Sequence, residues 1–142
     1  PNRPDATGTI AGIRTDTGRE QLARAAFEGV VCGLLDGLDA LRAAARVPVL
    51  AEGAGRTMLV GGGARSPAYQ RIVADLAGVD IMVSEGVEHV AAGACVQAAA
   101  VLQGTTPELV ASQWGLGTGR TLTPASDVDR AAIRTRYAEV RQ

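Results

Sequence analysis

Thr57-Met58-Leu59-Val60-Gly61-Gly62-Gly63-Ala64-Arg65-Ser66-Pro67 changes character twice within a few residues. It begins as a short apolar run of the kind found in buried parallel strands. Three glycines then turn the chain without any Cβ to restrict the backbone. Ser66-Pro67 opens a helix, because Ser supplies an N-cap acceptor and Pro, which lacks an N–H, suits the first helical position. The predicted helix carries Tyr69, Ile72, Val73 and Leu76 and stops at Gly78. Ile81-Met82-Val83 reads as a second strand, followed by a helix of very small residues over about 88–103. Strand, helix, strand, helix is a βαβα unit, so the fold class is α/β.

Upstream, residues 1–18 are rich in Pro, Thr, Gly and Asp, with a strand-like stretch at Thr9–Ile13. Thr17-Gly18-Arg19-Glu20 has the form of a capping box. After it Leu22, Ala26, Val30, Leu34, Leu38, Leu41 and Ala45 recur at helical spacing. This predicts one amphipathic helix over roughly 19–45, ending before Val47-Pro48, with that stripe as its core face. Gly29, Gly33 and Gly37 lie on or beside the stripe and are expected where another element packs closely. Downstream, Thr106-Pro107-Glu108 caps a helix running to about Trp114, which is expected to pack among Leu109, Val110 and Leu116. Gly115 to Thr123 reads as a loop, and Ser126 or Asp127 opens a final polar helix.

Composition narrows the chemistry. The 142 residues suit one domain, 1–142, able to bury roughly 70% of its extended surface. All 14 basic residues are arginine, which rules out a P-loop lysine or a Schiff-base lysine within these residues. A net charge of −1 gives no electrostatic footprint for nucleic acid or an anionic membrane. One His and two Cys cannot make a Cys₄ or Cys₂His₂ zinc site, the acids form no metal loop, and no metal ligands are assigned. Cys32 and Cys95 are expected to be small buried thiols in a reducing cytoplasm. No apolar run approaches the ~20 residues of a membrane span, and the N-terminus does not resemble a signal peptide. The expected location is cytoplasmic.

The chemistry-bearing candidate is the glycine turn. Gly61, Gly62, Gly63 and Ala64 set backbone amides beside a helix start, and Ser66 caps that helix. A turn of this kind is a nucleotide site or simply a tight connection, and spacing alone leaves both open. A dinucleotide reading, with Glu85 as a ribose-binding acid, is weaker because Ser66 stands where the third glycine belongs. His89 reads as a surface or capping residue at a helix start, and no catalytic residue is assigned.

Three ordered motifs resemble the C-terminal part of the FGGY family of carbohydrate kinases, with xylulokinases as the nearest branch. Gly8, Ile10, Gly12 and Ile13, then seven residues, then Gln21, Leu22, Ala25, Ala26, Phe27 and Glu28 resemble its second signature. Leu59 to Ser66 with Ala74-Asp75 resembles its adenosine motif, and Glu88 to Ala94 resembles its later Glu…Ala-Leu-Gly-Ala stretch. Pro1 to Ala6 is similar to the segment that precedes the signature in xylulokinases. Tyr69-Gln70-Arg71 departs from the family's Trp-Arg-Gln, and Ala92 and Cys95 replace its usual Leu and Ala.

The resemblance implies an actin-like, ribonuclease-H-like ATPase domain, the C-terminal half-domain of a two-domain sugar kinase. By position, Gly61 makes the turn, Gly62, Gly63 and Ala64 line the nucleotide, and Ser66 caps the helix flanking adenine. Ala91 to Ala94 match a segment that crosses the other domain at a hinge. It further implies ATP with magnesium, the magnesium held mainly outside this chain, and transfer to D-xylulose. Ribulose, gluconate and glycerol are the alternative sugars. The phosphate loops, sugar pocket and general-base aspartate precede this segment in the family. The chain is therefore expected to be a fragment that is inactive alone and reaches its pentulose through the other domain. As an isolated piece, it is alternatively a non-catalytic packing or interaction module. A homodimer is compatible with the sequence.

Overall fold

The structure, a computed structural model, describes residues 5, 7–44, 56–84, 86 and 88–141. In chain order these form α1 (Arg19–Ala44), β1 (Thr57–Leu59), a 3-10 turn (Gly62–Arg65), α2 (Pro67–Ala77), β2 (Ile81–Ser84), α3 (His89–Gln103), α4 (Pro107–Gln113), β3 (Gly119–Leu122) and α5 (Arg130–Val140). The sheet order is β1-β2-β3. β1 runs parallel to β2, with Thr57 opposite Ile81 and Leu59 opposite Val83. β3 runs antiparallel to β2, with Ile81 opposite Leu122 and Ser84 opposite Gly119.

The predicted βαβα unit is therefore present, and its punctuation works as the residues dictate. Ser66 accepts a hydrogen bond from the Tyr69 N–H, Pro67 sits in the first turn of α2, and Gly78 ends the helix in the left-handed region. Thr106 caps α4 in the same way, accepting from the Leu109 N–H.

Two apolar clusters hold the fold. Val31 and Cys32 of α1 meet Ile72 and Leu76 of α2, flanked by Leu35, Tyr69, Val73, and Ile133 and Tyr137 of α5. Val96 and Ala100 of α3 meet Val110 of α4. Arg134 of α5 donates to Asp36 and Asp39 of α1, both at 2.8 Å, and Arg141 also pairs with Asp36. These ion pairs dock α5 across α1.

Several expectations are corrected. The core face of α1 is Val31, Cys32 and Leu35, whereas Val30 and Leu34 are each 59% exposed and Leu22 and Leu41 are also exposed. The apolar arc of this helix is wider than the part that α2 and α5 cover, and Ala45 lies outside the described residues. Gly33 approaches the Tyr137 hydroxyl, but an added Cβ at Gly29 or Gly37 would meet nothing. The capping box is displaced by one residue. Gly18 N–H donates to Gln21 Oε1 at 2.8 Å, while Thr17 Oγ1 accepts from Arg14 N–H and Glu20 pairs with Arg19.

Thr9–Ile13 is not a strand, and Ile10 and Ile13 are exposed: a strand needs a neighbouring edge to satisfy its amides, and it has none among the described residues. The presumed loop at 115–123 contains β3, whose polar residues fit a half-exposed edge strand. α5 starts at Arg130 with Asp129 as its cap, a few residues later than Ser126 or Asp127. Cys95 is exposed while Cys32 is buried, and Trp114 is half exposed beside exposed Leu109 and Leu116.

Candidate functional site

β1 and β2 are parallel neighbours, so their carboxyl ends share one edge of the sheet, where α/β folds place ligands. The glycine turn leaves β1 at this edge, and the Ser84-to-His89 connection leaves β2. Gly61 has φ 93° and ψ −174°, a conformation that only glycine adopts readily. It reverses the chain so that Gly62–Arg65 winds into one 3-10 turn, with Ala64 N–H donating to Gly61 O and Ser66 N–H to Gly63 O, both at 3.1 Å. No side chain caps the start of this turn. Gly61, Gly62 and Gly63 are exposed, and an added Cβ at Gly61 or Gly62 would meet nothing within 4 Å. The backbone there is open to a ligand.

The inner side of the turn is fixed. Ala64 is buried. Its carbonyl accepts from Gln70 Nε2 at 2.6 Å, and Gln70 Oε1 accepts from an Arg120 guanidinium nitrogen at 2.7 Å. Tyr69 lies under Gly63, where a Cβ would come within 3.2 Å of the ring, and Phe27 of α1 sits 6.1 Å from that ring, centroid to centroid. Of the three glycines only Gly61 is held at positive φ, so backbone strain from an added side chain belongs there and not at Gly63.

Next to Gln70 on α2, Arg71 Nε donates to Oδ1 of Asp75, one turn further on, at 2.9 Å, and an Arg71 terminal nitrogen reaches the Thr123 carbonyl at 2.6 Å. Asp75 is buried and accepts from the Ala125 N–H at 2.8 Å. Burial pushes this carboxyl up, but the hydrogen bonds from Arg71 and Ala125, with the charges of Arg71 and Arg24, outweigh it and hold it below the ordinary aspartate value. Tyr69, Gln70 and Arg71, the triplet that departs from the family pattern, therefore all make contacts within the fold.

At the neighbouring connection His89 Nε2 lies 2.8 Å from Ser84 Oγ, in keeping with a residue that fastens a helix start. Glu85, the acid of the dinucleotide reading, lies outside the described residues. Among the described residues no three His, Cys, Asp or Glu gather into a metal-binding group. A cleft of about 800 Å³ lies elsewhere, between residues 7–11, α1 and α5, and includes none of the turn.

The turn itself was legible from Gly61, Gly62, Gly63, Ala64 and Ser66. Gln70 and Arg120 were missed as its supports. Gln70 shares a face of α2 with buried Ala74, which was a usable signal, whereas Arg120 stood in a segment read as a loop.

Residues 1–102 match the FGGY family of carbohydrate kinases, C-terminal domain. The chain belongs to this family. It is 38% identical to a xylulose kinase of Streptomyces coelicolor over 94% of its own length and 26% of the relative's. It is 32% identical to a gluconokinase of Bacillus licheniformis over 66% of its length and 17% of the relative's. A crystal structure of a xyloylose kinase from Brucella ovis superposes with a TM-score of 0.77 at 27% identity, covering 95% of this chain and 27% of that one. The FGGY chain thus spans about a quarter of the length of such relatives. Its α/β fold is the C-terminal half-domain of an actin-like sugar kinase. The glycine turn, α2 and β2 fall inside the FGGY match, while α4, β3 and α5 lie beyond it.

Proposed function

We propose that residues 1–142 form the nucleotide-side domain of an ATP-dependent, cytoplasmic kinase that converts D-xylulose to xylulose 5-phosphate. The observation that carries this is the open glycine turn at the carboxyl end of a parallel strand, inside an FGGY match. Gly62 and Gly63 take the nucleotide, Ala64 packs beneath them as the buried floor of the turn, Gly61 sets the turn and Ser66 holds the flanking helix. In the reaction a sugar hydroxyl attacks the γ-phosphorus, the bond to the β-phosphate oxygen breaks, ADP leaves and the hydroxyl proton passes to a base outside these residues. Magnesium, when bound, would neutralise charge on the phosphates and would be held mainly by parts of the kinase outside this chain. This chain's contribution is to orient the nucleotide, which lowers the barrier by fixing geometry rather than by chemistry.

Support for the sugar comes from the Streptomyces coelicolor xylulose kinase, which matches 94% of the chain where the Bacillus licheniformis gluconokinase matches 66%. Gluconate is the second reading for the same reason. The test is ADP release by the full-length enzyme with D-xylulose, D-ribulose, gluconate and glycerol in parallel. The highest kcat/KM is expected with D-xylulose, and a preference for gluconate would replace that assignment. The 142 residues alone are expected to give no sugar-dependent turnover above a protein-free control.

A further inference from the structure

We propose that Gln70 is a positioning residue for nucleotide binding, acting through the Ala64 carbonyl, with Arg120 as its anchor. The inference rests on the nucleotide reading of the glycine turn. Gln70 is an uncharged polar side chain only 8% exposed, and both ends of its amide are used. The nitrogen donates to the carbonyl of Ala64, the one buried residue of the turn, at 2.6 Å, and the oxygen accepts from Arg120 at 2.7 Å.

This arrangement ties three elements together at one point: the turn after β1, the first helical turn of α2, and β3 on the far side of β2. A buried amide satisfied at both ends favours one orientation, because displacement leaves the buried Ala64 carbonyl or the Gln70 amide without a partner. The outer face of the same peptides, at Gly62 and Gly63, is the surface open to ligand. Fixing the inner carbonyl therefore fixes the direction of the outer amides before the nucleotide arrives, and such preorganisation appears as affinity. Arg120 lies beyond the stretch that matches the family, so the support for the turn is assembled from both parts of the chain.

The test is steady-state kinetics of the full-length kinase with four variants, each with its thermal unfolding midpoint. Gln70→Met removes both hydrogen bonds. Gln70→Glu keeps an acceptor for Arg120 but cannot donate to Ala64 as a carboxylate. Arg120→Met leaves the donation to Ala64 but frees the other end of the amide. Gly62→Val blocks the outer face and reports on the nucleotide reading itself. Both Gln70 variants are expected to raise the KM for ATP about tenfold and Arg120→Met about threefold, with kcat and the sugar KM within about twofold of wild type. If Gly62→Val raises the KM for ATP and neither Gln70 variant does, the positioning role is wrong and the nucleotide site stands. If both KM values and kcat worsen together in step with the unfolding midpoint, Gln70 is structural only and the proposal fails. If Gly62→Val leaves the KM for ATP unchanged, the nucleotide reading fails and this inference with it. Should Gln70→Met not fold, Gln70→Glu and Arg120→Met decide the question by the same criteria.

Discussion

At Gly63 a valine would press on the Tyr69 ring, so loss of ATP binding there would be mixed with loss of packing. At Gly61 the positive φ would strain any side chain regardless of ligand. Gly62 has neither problem: its φ is ordinary for an L-residue and the space beyond it is empty. Asp75 offers a second test at this scale, through pH. Its carboxyl titrates below its ordinary value in the fold, so the stabilisation it contributes is present above the unfolded pKa and is lost as pH falls through the folded one. Asp75→Asn should therefore lower stability by about 1.5–3 kcal/mol at pH 7, the range for a hydrogen bond to a charged group. The difference from wild type should shrink below about pH 4. A difference independent of pH would mean that the carboxylate charge is not what matters.

Among the elements, α1 is where packing departs most from periodicity. Leu76 on α2 is 3% exposed, so Leu76→Ala should cost about 2–5 kcal/mol. Leu34→Ala, on the uncovered arc of α1, should change stability by less than about 0.5 kcal/mol. Denaturant unfolding of the 142-residue chain checks both. Equal losses would mean that α1 is rotated from the orientation described. The helix existed in the sequence because Leu22, Ala26 and Val30 keep a helical period. Its buried face was not legible, because that face depends on which neighbours are present. β1, α2 and β2 were legible for a local reason: Gly61, Ser66-Pro67 and Gly78 each impose a backbone state by their own chemistry. β3 was hidden because Gly119-Arg120-Thr121-Leu122 has no strong period, and its place is set from outside. A Cβ on Gly119 would collide with the Val83 carbonyl oxygen, a requirement that only the paired strand reveals.

For the whole molecule, the glycine turn has an open outer face and a fixed inner one, and it sits at the carboxyl edge of a two-stranded parallel core. α3 stands apart, with only Val96 and Ala100 buried, against α4, while Val90 is 89% exposed and Val101 and Leu102 nearly as much. No described helix is long and apolar enough to cross a membrane. The proposal that the turn receives ATP draws its support from the family match, the parallel strands and the exposed peptides of Gly62 and Gly63. The most direct measurement is the KM for ATP and for D-xylulose in the full-length kinase carrying Gly62→Val, beside wild type. The account predicts that the ATP value rises at least about tenfold, equivalent to about 1.4 kcal/mol, while the sugar value stays within about twofold. A normally folded variant with an unchanged KM for ATP would contradict it.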